Sequence, residues 1–409
     1  MPDSIWCTLK VETIFSGGPA QQPLDLMCGQ STIISYCATF LPREMLHVYR
    51  QVKGLRNFNN WVCTRTRLNK ESFPFSQVSV IRKSPWRGLR RLWYRMRGRR
   101  VPLGRGEIDQ ALALAREQGA RLIHVYLGSE ALRAVRLLGR FPGARIVSFH
   151  GADLSHEHSA EDYARLWPNV ELFLCRSESL RRALVAKGCP ESRIRINYTG
   201  VPIKDVPKKE LPNWRNGKPV QLLQVCRLIE KKGLDITLRV MHRLKKGGVP
   251  VHLVLAGGGP EEERLRRLAS ELGLADEVCF AGFVSGVELE GLFRASDIFM
   301  HPSRETTGGD REGIPNSLLE AMSYGLPVVS TSHSGIPEAI THNENGLLAD
   351  TCETETLTAE TQRLLEQDGL FEKISAAALK TVEDRFSTVR CVEQLEASYH
   401  EAMAMRNLV

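Results

Sequence analysis

The chain has 409 residues, 42% hydrophobic and 25% charged, the composition of an ordinary soluble protein long enough for about two or three domains with sizeable cores. Its ten cysteines stand singly between Cys7 and Cys391 with no metal-ligand spacing, which points to buried free thiols in a reducing compartment. No apolar run approaches the roughly 18 residues that cross a bilayer, and the opening MPDSIWCTLK has no basic start leading into an apolar core, so the expected location is cytoplasmic, at most peripheral on the inner face of a membrane.

Net charge is +8 but uneven: residues 1–205 hold 32 Lys+Arg against 17 Asp+Glu, a surplus of +15, while the remainder carries −7. A basic half of this kind implies an anionic partner. Residues 1–29 show no hydrophobic period and contain Gly17, Gly18, Pro19 and Pro23; they read as an extension without an assigned role. Between 30 and 205, short apolar runs at 31–40, 77–82, 121–128, 144–151, 170–175 and 193–200 alternate with amphipathic stretches such as REMLHVYRQVKGL, EIDQALALAREQG and ESLRRALVAKG. That alternation is the pattern of a parallel sheet with helices on both faces, a doubly wound α/β domain. Within it, 82–100 holds nine Arg and Lys and no acid. Read as a helix from Pro85, it aligns Trp86, Leu89, Trp93 and Met96 on one stripe with most arginines to the sides, the pattern of a helix lying in a bilayer interface. A helix packed on its own sheet with a solvated basic face, and a nucleic-acid role, are the other readings of that stretch.

Residues 201–218, VPIKDVPKKELPNWRNGK, have no apolar period, and 206–218 read as a domain linker. The alternation restarts at PVQLLQVCR and continues through VPVHLVLAGGG, DEVCFAGFV, SDIFMHPS, LPVVSTS and NGLLAD, a second doubly wound domain over 219–385. A last helix, within 386–409, has no assigned side. Two such domains facing each other leave a cleft at the carboxyl ends of both sheets, where open α/β folds bind ligands.

The polar residues gather at those strand ends. Arg227 and Lys232 follow the first strand of the second domain, Gly258 sits in the GGGP turn after the next, His150 and Asp153 follow RIVSF, and His301 follows DIFM. Each alone has a plainer reading: surface cations, a tight turn, a structural histidine. Gly308–Gly325, GGDREGIPNSLLEAMSYG, runs from a glycine-rich loop into a helix. Pro315 suits its first helical position. Leu318, Ala321 and Met322 share its apolar face, and Asn316 and Glu320 lie on another. Taken alone Glu320 reads as a solvated surface acid, but with Glu312 in the preceding loop it frames a helix N-terminus suited to a phosphate.

The motifs CRLIEKKGLD, LAGGGPEEERL, FAGFV, ASDIFMHPS, the Glu-x7-Glu of Glu312 and Glu320, EAMSYGLPVVST and SGIPEAI with ENGLL, in this order over about 219–350, closely resemble the nucleotide-sugar-binding domain of family-4 retaining glycosyltransferases with the GT-B fold. The first half resembles the exopolysaccharide and colanic-acid branch through FLPREMLHVYRQVKGL, HVYLGSEAL and SFHGADLS. The resemblance implies that Arg227 and Lys232 hold the donor diphosphate, Glu312 the sugar hydroxyls and Glu320 the ribose. It places His150 beside the transferring sugar, the backbone of Phe283 and Val284 at the base, and Gly258, Gly313, Ile314, Pro315 and Asn316 around the donor.

The expected activity is therefore transfer, with retention, of a sugar from a nucleoside-diphosphate sugar of the UDP or GDP type to a saccharide or lipid-linked saccharide acceptor. No cofactor is expected, and no metal, because the sequence has no Asp-x-Asp motif and fixed cations with a helix end can stabilise the leaving diphosphate. The alternatives are a GT-B enzyme that is not a transferase, such as an epimerase or phosphorylase, and a non-catalytic membrane- or nucleic-acid-binding protein; nucleic acid is not an expected partner.

Overall fold

A computed structural model describes residues 30–42, 45–83, 87–97, 101–154, 159–203, 214, 217–306 and 313–408. Residues 31–409 form one compact unit, which carries every strand and helix named below. Most of the expected linker and the loop holding Glu312 lie outside the described residues.

Seven strands form the first sheet: β1 (Ser31–Phe40), β2 (Phe58–Arg67), β3 (Val78–Val80), β4 (Ala120–Tyr126), β5 (Ala144–Phe149), β6 (Leu172–Cys175) and β7 (Ile194–Ile196). Their helices are α1 (Leu46–Gly54), α2 (Arg87–Met96), α3 (Arg105–Glu117), α4 (Gly128–Arg140), α5 (Ala160–Ala164) and α6 (Glu178–Ala186). The strand order is β3-β2-β1-β4-β5-β6-β7, with parallel pairings. The second sheet has β8 (Val220–Val225), β9 (Val251–Ala256), β10 (Val278–Gly282), β11 (Ile298–His301), β12 (Val328–Thr331) and β13 (Leu347–Ala349). Its helices are α7 (Leu234–Lys246), α8 (Glu262–Glu271), α9 (Gly286–Ala295), α10 (Asn316–Ser323), α11 (Ile336–Ala339), α12 (Thr354–Glu366) and α13 (Leu370–Thr381). Here the order is β10-β9-β8-β11-β12-β13, again parallel. Both sheets reverse direction of growth beside their first strand, and a crevice at the carboxyl ends follows from that reversal.

Both sheets are buried on two faces, as crossover helices require. In the first, Ile34, Tyr36, Ile123, Val125, Val147 and Phe173 point to one layer and Ile33, Leu122, Ile146 and Leu172 to the other. The last helix, α14 (Thr388–Ala404), covers the second of these layers. The chain returns to the first domain where Val201 bridges Ser387, and Leu395, Tyr399, Ala402 and Met403 fill the layer over β1, β4, β5 and β6. Glu396 of α14 accepts the amides of Arg56 and Asn57 at 2.6 and 2.9 Å, fastening the turn into β2.

Strand β2, FNNWVCTRTR, is absent from the sequence-derived strands because its polar residues mask the alternation. Buried Asn60 is satisfied inside the sheet, taking the Ser35 hydroxyl at 2.8 Å and donating to Val52 O at 3.2 Å, so the strand carries this polar group inward with its hydrogen bonds made. Helix α10 starts one residue later than expected, at Asn316, with Pro315 as its N-cap in extended conformation. The eight described cysteines are free thiols, five of them buried. No helix among the described residues is long and apolar enough to cross a membrane.

Candidate active site

On the second domain the site is built from two loops that lean on each other. Leu228 N donates to Gly258 O at 3.0 Å and Glu261 N to Leu228 O at 3.1 Å, binding the segment after β8 to the GGGP turn after β9. The approach is so close that a Cβ on Gly257, whose φ is +140°, would lie 1.8 Å from Cys226 O, and one on Gly259 2.3 Å from Leu228 O. Gly258 has open space on its Cα and is exposed. Below the loop, buried Gln224 donates to Lys232 O at 2.7 Å and accepts the Thr237 hydroxyl at 2.7 Å, and Gly233 turns the chain at φ +62° against Pro302. This fixes the backbone at Lys232, which is half-buried, while Arg227 is exposed at the carboxyl end of β8. Phe283, after β10, is 58% exposed and Val284 beside it is buried.

Helix α10 forms the other wall. Leu318, Ala321 and Met322 are buried as expected. Gly313 and Ile314 lead into it with their backbone against Gly335, where a Cβ would stand 2.9 Å from Gly313 C. Asn316 and Glu320 face the first domain, and Glu320 is no solvated surface acid: its side chain is 16% exposed and its Oε1 takes Arg50 Nη2 at 2.6 Å.

From the first domain, His150 sits just past β5 and is buried. Its amide donates to Asp153 Oδ2 at 2.8 Å, and the same carboxylate takes the amides of Gly128 and Ser129 at 2.9 and 3.0 Å, so Asp153 locks the start of α4 to the turn after β5. His150 Nδ1 lies 3.1 Å from His47 Nε2 and 3.2 Å from Arg176 Nη1. Arg176 Nη2 donates across the cleft to Asn316 Oδ1 at 3.0 Å. Burial first, then the charges of Arg176, His47 and His124, holds the His150 pKa well below 6.5, so the ring is neutral at physiological pH. A further junction closes the rim: Glu338 of α11 accepts the amides of Glu178 and Ser179 at 2.7 and 3.2 Å, at the N-terminus of α6, where a carboxylate is favoured by the helix dipole.

The structure thus brings Asn316, Glu320 and His150 to one cleft through Arg176 and Arg50, and sets Arg227, Lys232 and Gly258 on interlocked loops at the carboxyl ends of β8 and β9. Glu312 lies outside the described residues. His301 is buried at the end of β11. Sequence reasoning passed over Arg50, His47, Arg176 and Glu338. Arg176 carried a usable signal, an arginine at the carboxyl end of an apolar strand, whereas Arg50 in a helix had none.

Two doubly wound domains that close on each other with their strand ends make the GT-B fold, and solved structures agree. The Anabaena protein Alr3699/HepE, crystallised with UDP, superposes with a TM-score of 0.72 over 91% of this chain and 100% of its own at 19% identity. By sequence, residues 207–381 match the family Glycosyl transferases group 1. The amylovoran biosynthesis glycosyltransferase AmsK of Erwinia amylovora is 35% identical over 280 residues, 67% of this chain and 68% of its own. The putative colanic acid biosynthesis glycosyltransferase WcaL of Salmonella typhimurium is 33% identical over 267 residues, 63% of this chain and 65% of its own. The chain belongs to the group 1 glycosyl transferases.

Proposed function

We propose that the protein is a retaining, metal-independent hexosyltransferase of family 4 that extends a saccharide or lipid-linked saccharide during assembly of an exopolysaccharide, using a UDP- or GDP-sugar. The observation that carries the reading is the cleft itself: the Arg227–Lys232 loop and the α10 N-terminus offer positive charge for a departing diphosphate, and His150 of the acceptor domain is tied to the start of α10 through Arg176 and Asn316. The names of AmsK and WcaL support the polysaccharide, and UDP in the HepE crystal supports a uridine donor first. Fixed cations stabilise the developing charge in place of a metal. Glu312 holds the sugar and Glu320 the ribose, and Arg50 leaves the second carboxylate oxygen of Glu320 for that contact. Calorimetric titration with UDP, GDP and their sugars tests the donor. Lys232→Ala and Glu312→Ala are expected to cut transfer about 10²- to 10³-fold with unchanged melting, and EDTA to leave turnover intact. Near-normal turnover of either variant refutes the site, and full loss on chelation restored by Mg²⁺ refutes metal independence.

The acceptor is met at an anionic membrane surface through α2. The observation favouring this is that the apolar stripe of α2 faces solvent: Leu89, Leu92, Trp93 and Met96 are 64, 57, 43 and 71% exposed. Trp86, the first residue of the expected stripe, lies outside the described residues. Arg91, Arg95 and Arg97 stand exposed beside the stripe, with the Arg97 guanidinium 3.8 Å over the Trp93 ring. A helix packed on its own sheet would bury that stripe, and this one does not. Each arginine near an anionic bilayer contributes about 1 kcal/mol, and the stripe supplies the apolar insertion. Flotation with anionic vesicles is expected, weakened by salt and abolished by Arg90→Glu, Arg91→Glu and Arg95→Glu together. Equal recovery with neutral vesicles, or concentration-dependent dimerisation through α2, overturns the membrane reading.

A further inference from the structure

We propose that Arg176 is a positioning residue for sugar transfer: it holds His150 as the imidazole protonated on Nε2 alone, through a fork whose second arm rests on Asn316 of the opposite domain. The proposal rests on the reading of His150 as a residue of the transfer site. A guanidinium has donors and no acceptor. With Arg176 Nη1 at 3.2 Å, His150 Nδ1 must therefore accept and carries no proton. His47 Nε2, at 3.1 Å from the same Nδ1, is then also a donor and bears its own proton there. The one proton of the neutral His150 ring is left on Nε2, which has no partner among the described residues. The amide of His150 is held by Asp153, so the ring hangs from a fixed backbone.

The groups that face His150 come from four directions: Arg176 after β6, His47 on α1, His124 on β4 and the Asp153 carboxylate in the turn after β5. One is a permanent cation and two are imidazoles, so protonating the buried His150 ring would set a positive charge against the half-buried Arg176 guanidinium. The ring serves as a hydrogen-bond donor to a sugar oxygen and not as a proton source.

The other arm makes this arrangement conditional on closure. Arg176 Nη2 reaches Asn316 Oδ1 at 3.0 Å, on the first residue of α10. When the domains part, the Asn316 anchor is lost and the fork no longer spans the cleft, so the hold of Arg176 on Nδ1 is firmest once the donor-bearing domain has closed. A single ammonium cannot span both acceptors, which makes Arg176→Lys an informative change.

The test reads the imidazole directly and needs no sugar donor. The full chain is labelled with ¹⁵N-histidine, and two-bond ¹H–¹⁵N correlation spectra are recorded from about pH 8 to about pH 5.5, across the range where an ordinary histidine titrates. His150 signals are identified by their loss in His150→Gln. In the wild type, Nδ1 is expected to appear as a bare acceptor and Nε2 as protonated, unchanged over the whole range. In Arg176→Gln, whose amide can either donate to Nδ1 or accept from it, a mixture of the two neutral tautomers is expected, with the ring still held below the ordinary value by its burial. In Arg176→Lys, which keeps the charge but not the fork, a mixture of the two neutral tautomers is expected. A proton on Nδ1 in the wild type, or wild-type spectra in either folded variant, overturns the proposal. If Arg176→Gln does not fold, the wild-type and Arg176→Lys spectra decide. Calorimetry with UDP on the same samples separates the two readings: absent UDP binding with the expected spectra faults the donor assignment and leaves the tautomer standing.

Discussion

Two glycines one residue apart in the GGGP turn have opposite requirements. Gly257 has φ +140°, and a Cβ there would lie 1.8 Å from Cys226 O, while Gly258 has nothing within 4 Å. Gly257→Ala combines a steric overlap with backbone strain of about 1–3 kcal/mol and is expected to lower the melting temperature by several degrees. Gly258→Ala is expected to melt like the wild type and, if the proposed donor site is right, to lose UDP affinity. Equal melting of the two variants would refute the distinction. His124 is a second residue with a measurable signature. Buried between Tyr399 OH at 2.8 Å and Ser148 Oγ at 2.6 Å, it has its pKa lowered by burial from 6.5 to about 3. The unfolded chain therefore binds a proton that the folded one refuses between those values. Stability is full above about pH 6.5 and falls below it by up to about 1.4 kcal/mol per pH unit for this group. Denaturant titrations at about pH 7.5 and about pH 5.5 check it: His124→Gln should have the shallower acid dependence, and an equally steep one would show that other groups set it.

At the scale of elements, α14 decides whether the second core layer of the first domain is covered. Its Leu395, Tyr399, Ala402 and Met403 cover one whole face of β1, β4, β5 and β6, and burying large apolar side chains is worth about 1.5–3 kcal/mol each. The total is comparable with the about 5–15 kcal/mol that holds a domain together. A chain ending at Ser387 is therefore expected to lose cooperative melting of the first domain while the second domain still binds UDP. Two intact transitions in calorimetry would show that the sheet does not need this helix. Strand β2 likewise depends on distant partners: beside its buried Phe58, Val62 and Cys63, Asn60 can be buried only because Ser35 and Val52 satisfy it.

For the molecule as a whole, the closed cleft is held at its edges by polar contacts: Arg50 to Glu320, Arg176 to Asn316, and Glu338 to the N-terminus of α6. Contacts of this kind are worth about 1.5–3 kcal/mol each when one partner is charged, small enough for domain motion to remain the default. Arg50→Ala with Glu338→Ala is expected to raise the radius of gyration in solution scattering and to slow transfer, with UDP affinity changed only a few-fold because the proposed donor site lies on the second domain. An unchanged scattering profile would mean that other contacts hold the cleft shut.

Much of the second domain was legible in the sequence. All six of its strands and the interlocked turns at Arg227, Lys232 and Gly258 come from contiguous segments, where apolar runs and glycines express their geometry within a few residues. The same locality made the other strands of the first domain readable but hid β2, whose inward polar groups find partners only once the sheet exists. Nor did it indicate which domain α14 would cover, because an amphipathic helix fits any complementary apolar face. The pairs that complete the cleft lie far apart in the chain, His47 with His150 at a separation of 103 residues, Arg176 with Asn316 at 140 and Arg50 with Glu320 at 270. The sequence by itself determined the two doubly wound domains and the donor-side motifs, because these depend on local periodicity and turn chemistry. The tertiary structure alone decided the surroundings of His150 and the cross-cleft partners, because His47 and Arg176 meet His150 only once the first sheet has assembled, and Asn316 and Glu320 meet their arginines only after the two sheets have closed on each other.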